Sequence, residues 1–370
     1  MDFSLSEQDA ALRDSVQRFT AAEYAPHKRK ALIEAGRDNW DRFAANGWLG
    51  VGIPEAAGGN GGSLSAAMVV AERLGAGLAV EPYIGSVVFV SQVLQALLGE
   101  GGAADLLRPV VSGQDRLAMA CTEQEARGGL RRTRASAVPC DNGYVLTGRK
   151  IAAAGGGRAT AYLVSARTSG DSYDPGGISV FRVERGAPGL NIRPWRMIDG
   201  SDIADVELDG VVVSESALIG KPGAALGALA GGLDTSICAS TFEVVGVMEA
   251  TLAATVEHLR TAASSSGSHD LLRHRCADML AEVEQARSAA LRGLASLHQP
   301  NGMARAYATS AAKAVVIRAS RSVCGEAIKI RGGLEDGGET QVSELFRKAA
   351  SSLALYGSLD FHLGRMASAM

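Results

Sequence analysis

Proton transfer, phosphate binding and metal ligation each demand particular side chains at particular spacings, and this sequence can be read for all three. Metal ligation has no support. Cys121, Cys140, Cys238, Cys276 and Cys324 lie far apart, with no C-x-x-C pair and no Cys/His ligand spacing, so they are read as reduced core residues of a cytosolic protein and no metal is expected. His269, His274 and His362 have no carboxylate, Ser or Cys partner at a suggestive interval and are read as packing or surface residues. The run Ile53-Pro54-Glu55-Ala56-Ala57-Gly58-Gly59-Asn60-Gly61-Gly62 is glycine-rich but has no G-x-x-x-x-G-K-[ST] continuation, which makes it a connector. Lys329 and Arg331 stand beside Gly332-Gly333 where a helical pattern ends, a place that favours solvated cations as much as anion ligands.

The elements that must position these groups fall into three stretches. Up to about residue 116 the apolar period is helical, opening with Ser6-x-x-Asp9 as a capping-box pattern and continuing through Val16, Phe19 and Ala22; Ser65 to Leu78 resumes it. From 117 to 222 short β-type runs succeed it, including Gly143–Leu146, Ala161–Ser165, Gly177–Phe181 and Ala204–Leu208, punctuated by Gly, Asp and Pro. From 223 to 370 the spacing predicts long helices over Leu233–Ala262, His269–Ser296 and Gly302–Lys329. The expected fold is α+β: an N-terminal helical domain (1–116), a middle antiparallel β-barrel domain (117–222) and a C-terminal four-helix bundle (223–370). Met248, Met279 and the Leu-rich stripes of the last helices are read as core or subunit interface.

At 370 residues, 46% hydrophobic and 21% charged, the chain has material for two or three packed units. A net charge of −3 without a long Lys/Arg run argues against nucleic acid and against an anionic membrane surface. The acidic, polar start Met1-Asp2-Phe3-Ser4-Leu5-Ser6-Glu7-Gln8 does not read as a signal peptide, and no uninterrupted apolar stretch is long enough to span a bilayer. A cytoplasmic protein acting on a small molecule or another protein is expected.

Particular strings narrow the reading. Gly47-Trp48-Leu49-Gly50-Val51-Gly52-Ile53-Pro54-Glu55 with Gly58-Gly59, then Ala71-Glu72-Arg73-Leu74-Gly75, Met119-Ala120-Cys121-Thr122-Glu123, Gly148-Arg149-Lys150, Ala187-Pro188-Gly189-Leu190 and Val206–Val213 succeed one another in order. Near the end stand Ile330-Arg331-Gly332-Gly333 and Glu344-Leu345-Phe346-Arg347-Lys348. Over essentially the whole chain this resembles the acyl-CoA dehydrogenase superfamily. Leu163–Thr168 and Phe361-His362-Leu363 resemble the small subunits of the pimeloyl-CoA and steroid side-chain types, which are often half of an α2β2 heteromer.

That resemblance implies an acyl-CoA substrate, FAD, and α,β-desaturation, in which a carboxylate removes the α-proton while hydride passes to the flavin. It also locates departures. The usual base position falls on Tyr356 in Ala354-Leu355-Tyr356-Gly357-Ser358, and a neutral phenol is a poor base near pH 7. The alternative base position falls on Ser236. Asp234 lies close in sequence but is turned away from Ser236 on the helix, since neighbours differ by about 100° in direction, and is expected to cap or to form an ion pair. Glu339 corresponds to a carboxylate that is mostly structural in relatives and is a weak candidate for a relocated base; Glu335 and Asp336 stand nearby.

For the cofactor, the resemblance offers Thr122 and Glu123 beside the flavin, and Lys329, Arg331, Gly332 and Gly333 near the pyrophosphate. The strand that closes over the ring reads Ala152-Ala153-Ala154-Gly155, without its aromatic, and the loop carrying a pyrophosphate Arg corresponds to Ala262-Ala263-Ser264-Ser265-Ser266. A charge-assisted contact contributes roughly 1.5–3 kcal/mol, so these losses together would weaken a flavin site by about 4–6 kcal/mol, or several thousandfold. Three readings result: one subunit of a heteromeric FAD-dependent dehydrogenase whose partner supplies base and flavin contacts, a flavin-free structural subunit, or a repurposed non-redox acyl-thioester enzyme.

Overall fold

The computed structural model describes residues 5–126, 128–262, 269–331 and 340–369. These form helices α1 (Glu7–Glu23), α2 (Pro26–Glu34), α3 (Trp40–Ala45), α4 (Leu64–Ala76), α5 (Val90–Val111), α6 (Leu226–Ala262), α7 (His269–Ser296), α8 (Gly302–Ile330), α9 (Gln341–Ala354) and α10 (Leu359–Ala367). Between α5 and α6 come strands β1 (Leu117–Ala120), β2 (Ser136–Cys140), β3 (Gly143–Ala154), β4 (Ala161–Arg167), β5 (Ile178–Glu184), β6 (Leu190–Arg196), β7 (Asp202–Val213) and β8 (Leu218–Ile219). By compactness the chain divides into two units interleaved in sequence, Met1–Arg37 with Met68–Ala79 and Ile237–Met370, and Asp38–Ala67 with Val80–Ser236.

The second unit is built on one eight-stranded sheet in the order β6-β7-β3-β2-β4-β5-β8, with β1 on β4. Its neighbours are antiparallel except at β4, which takes β1 in parallel (Leu117 opposite Ala161) and touches β2 in parallel at Ser136 and Arg167. Leu146, Tyr162, Val164, Phe181, Val206 and Val211 fill the core beneath it, because alternate residues of a strand face the same side. Prolines stand only where a ladder partner is missing on one side: Pro194 lies on the edge strand β6, and Pro139 lies beyond the single β2–β4 contact. Ahead of the sheet, the glycine-rich connector folds back on itself through an Ile53–Gly61 bridge, and a Cβ at Gly59 would run into the Ile53 backbone.

The first unit is helical. Ser6 Oγ accepts from Asp9 N at 3.0 Å, the forward half of the expected capping box. Helices α4 and α6 cross backbone to backbone: a side chain on Gly75 would strike Glu243 O, and one on Gly246 would strike Glu72 O. Around that crossing Arg73 pairs with Glu72 and Glu249, and Arg287 of α7 pairs with the same two carboxylates. After α4, Leu78 takes a left-handed φ of 61°; its carbonyl accepts from Arg29 Nε at 2.9 Å and that of Ala79 from Lys348 Nζ at 2.9 Å. Helix α7 packs along α8, with Val283, Ala286 and Ala290 buried. Met248 and Met279 are core residues. The C-terminal region holds α9 and α10 in addition to the three long helices, five in all among the described residues.

Two sequence expectations change. Cys121, Cys238 and Cys324 are buried, but Cys140 is exposed at the end of β2 and is not a core residue. The stretches Ile84–Val111 and Leu226–Thr261 are long and apolar enough to cross a membrane, although 56% and 67% of their most apolar windows are buried inside the molecule, as in core helices. Gly99 does break α5, its backbone being non-helical at φ 71° and ψ 166°, so that stretch is two helices meeting at a kink, whereas α6 runs through Gly231-Gly232 from Leu226.

Candidate functional site

In the sheet unit the strand β1 delivers Cys121, Thr122 and Glu123. Glu123 is 4% exposed and its carboxylate is fully engaged: Oε1 accepts from Lys150 Nζ at 2.7 Å and Ala135 N at 3.0 Å, and Oε2 accepts from Arg134 N at 2.8 Å. Lys150, 0% exposed, also donates to Ser165 Oγ at 3.1 Å. Burial would raise the Glu123 carboxyl, but the Lys150 ammonium and the amide donors hold it below the ordinary carboxylate range. Glu123 is therefore committed to the interior of the sheet unit rather than turned outward to a ligand.

Thr122 is half-buried and its carbonyl accepts from Ile151 N at 2.9 Å. Next to it, β3 bulges against β7 between Lys150 and Ala153. Within the bulge Ala152 has φ 54° and its N–H donates to Asp205 Oδ1 at 3.2 Å. Ala153 points into the core at 1% exposure, and Gly155 turns left-handed with no room for a side chain against Pro82. A bulge re-aims the side chains that flank it, and here it presents methyl groups where the resemblance calls for an aromatic wall.

At the end of the same unit, Ser236 is fully buried on α6 and its Oγ donates to Gly232 O at 2.8 Å, a back-bond within the helix. Asp234 is 1% exposed and lies eight residues inside a helix that starts at Leu226, so it does not cap that helix.

In the helical unit, Tyr356 occupies the turn between α9 and α10 with φ 61°, followed by Gly357 at φ 111°. Lys329 lies in the last turn of α8 and pairs with Glu326 Oε1 at 2.6 Å; Arg331 ends the helix, its N–H donating to Ala327 O. His274 is exposed and His362 is fully buried beside Ser310 Oγ at 3.3 Å. Burial, then the charges of Lys313 and Arg365, push the His362 imidazole down to about 3, so it packs as a neutral ring. Gly332, Gly333, Glu335, Asp336 and Glu339, with the loop 263–268 and the side chains of Ala262 and His269, lie outside the described residues. No group of His, Cys, Asp and Glu among the described residues could hold a metal.

Sequence reasoning overlooks the buried amines. Lys313 is 0% exposed within α8, and Lys348, 5% exposed, pairs with Glu243 Oε1 at 2.9 Å. The available signal is a single cation in the apolar run Ala311-Ala312-Lys313-Ala314-Val315-Val316.

Taken against the flavin that the resemblance implies, the described residues do not make a complete site. The ring-wall strand carries three alanines, and the Glu123 carboxylate is taken by Lys150 and two amides.

Comparison with known proteins places these observations. The chain is 26% identical to the probable acyl-CoA dehydrogenase YngJ of Bacillus subtilis over 361 residues, 94% of each chain. Its fold matches butyryl-CoA dehydrogenase from Megasphaera elsdenii with a TM-score of 0.86 at 23% identity, covering 100% of this chain and 99% of that one. The ChsE4-ChsE5 complex from Mycobacterium tuberculosis matches with a TM-score of 0.86 at 23% identity, covering 100% and 98%. Family models for the acyl-CoA dehydrogenase N-terminal, middle and C-terminal domains match residues 6–114, 118–211 and 232–370, in that order. With nearly its whole length so matched, the chain belongs to the acyl-CoA dehydrogenase family.

Proposed function

We propose that this chain is one subunit of a heteromeric, FAD-dependent assembly that introduces an α,β double bond into an acyl-CoA thioester, with a second acyl-CoA dehydrogenase-like chain supplying the base and most flavin contacts in an α2β2 arrangement. The observation that carries this reading is the state of the two base positions. Tyr356 offers a phenol on a strained turn, and Ser236 offers a hydroxyl already donated to Gly232 O. Likeness to the ChsE4-ChsE5 complex supports a two-chain assembly. A cytoplasmic setting fits the reading, as does the absence of a basic surface run.

The test is co-expression with the candidate partner and mass measurement of the purified complex. A stable homotetramer that oxidises acyl-CoA with no second polypeptide would overturn the proposal.

The chain alone is expected to bind FAD weakly or not at all. Fluorescence titration measures this; stoichiometric flavin retained through desalting, without a partner, would show that the missing contacts had been replaced. A second reading, a flavin-free structural subunit, is favoured by the same alanine strand and by Lys329 being paired with Glu326. An absorbance scan of the intact complex, set against the flavin content of each separated chain, distinguishes the two.

In the active assembly, Tyr356→Phe and Glu339→Gln in this chain should each leave most of the rate. Loss of a true base costs on the order of 10²–10⁴ in rate. A fall of that size in Glu339→Gln, with assembly and flavin content unchanged, would place the base in this chain.

A further inference from the structure

Lys313 lies where an ionisable side chain needs a reason to be. Its Nζ donates to Ser240 Oγ of α6 at 2.5 Å and to Ser352 O of α9 at 3.2 Å. Ser352 belongs to the last turn of α9, whose final four carbonyls have no partner within the helix. Lys313 therefore caps α9 from a different helix. The other charged or titratable groups around it are Glu243 on α6, Lys348 on α9, and His362 and Arg365 on α10.

A strained stretch of backbone comes directly after α9. Leu355 is extended, Tyr356 is left-handed at φ 61°, and Gly357 at φ 111° could carry no side chain: a Cβ there would collide with the Phe361 ring and lie 3.0 Å from His362 Nε2. Ser358 then starts α10, its Oγ accepting from Phe361 N at 3.3 Å. A bulky residue holds φ > 0 only where its surroundings determine it. On one side those surroundings are Phe361 and His362, and on the other the α9 terminus held by Lys313.

We propose that Lys313 is a positioning residue: by fixing the last turn of α9 at Ser352, it sets the elbow 355–358 and so the placement of the Tyr356 ring as a wall of the acyl-thioester site. The role of the ring rests on the functional reading above; the hold on the elbow does not.

The experiment is fluorine NMR of the whole chain labelled with 3-fluorotyrosine, the Tyr356 resonance being assigned by its loss in Tyr356→Phe. Lys313→Met keeps the length and removes the donor. The expected result is a displaced or broadened Tyr356 signal with Tyr24 and Tyr307, in the same unit, unmoved. A Tyr356 signal superimposable on that of the parent overturns the proposal. Should Lys313→Met fail to fold, with all tyrosine signals collapsed, Lys313→Gln decides: it leaves Ser240 in place with a polar neighbour and removes the amine that reaches Ser352 O, and displacement confined to Tyr356 supports the proposal while an unchanged spectrum overturns it. The signal is read on the free chain without turnover, so an assembly inactive toward acyl-CoA would sink the functional reading and leave the elbow to be judged by fluorine alone.

Discussion

Lys150→Met should lower the unfolding free energy of the chain by about 3–5 kcal/mol at pH 7, the usual result of breaking a buried ion pair from one side. The pair is Lys150, 0% exposed, on Glu123, 4% exposed. Removing the amine leaves a buried carboxylate with only the Arg134 and Ala135 amides as donors. The Ser165 hydroxyl loses its partner as well. Glu123→Gln combined with Lys150→Met should recover most of the deficit, because neither residue then carries a charge. Urea unfolding of the parent and the two variants measures this. Equal stability of Lys150→Met and the parent would show that the pair is open to water.

Lys313 gives the second large effect, and it is visible only by changing pH. Burial, set against the charge of Glu243, lowers its amine from 10.5 to about 8. Between those values the unfolded chain binds a proton that the folded chain does not, so stability rises with pH across the window. The gain starts as the pH passes about 8, is complete above 10.5, and is lost again on returning below about 8. At about 1.4 kcal/mol per pKa unit, the parent should gain about 3 kcal/mol relative to Lys313→Met between pH 7 and 10.5. Taking the difference between the two proteins cancels every other alkaline titration. A difference that stays constant with pH would mean that Lys313 reaches solvent.

Both amines escape a reading of the sequence, and the reason is physical. Periodicity reports which positions face inward when the residues there are apolar; a lysine on such a face is indistinguishable from one at its margin. By contrast, α7 is legible as far as its end at Ser296, because its apolar stripe is uninterrupted. Periodicity puts the start of α6 at Leu233 rather than Leu226 because Gly231-Gly232 reads as a stop. Gly232 is instead required for packing, since a Cβ there would meet Val93 and Phe89. The resemblance that puts the family's base position on Tyr356 rests on the flanking strings, whereas the left-handed backbone at Tyr356 is not legible, because φ > 0 at a tyrosine has no sequence signature. For Glu123 the sequence gives only a place beside Thr122, and it takes the folded chain to show that its side-chain oxygens accept from Lys150 and two amides.

The parallel seat of β1 on β4 sets an order of assembly. Strands β2 and β3 are joined by the two residues Asp141-Asn142 and can zip as a hairpin on a timescale of about 1–10 μs. Leu117 emerges from synthesis earlier but has nothing to pair with until Ala161 arrives. Parallel neighbours cannot be joined by a tight turn, so their contacts close a long loop and form late. The segment bearing Thr122 and Glu123 is thus docked after the hairpin that carries Lys150 already exists. Substitutions in β1 will consequently accelerate unfolding more than they slow folding, leaving the nascent sheet to form around a place kept open for its first strand.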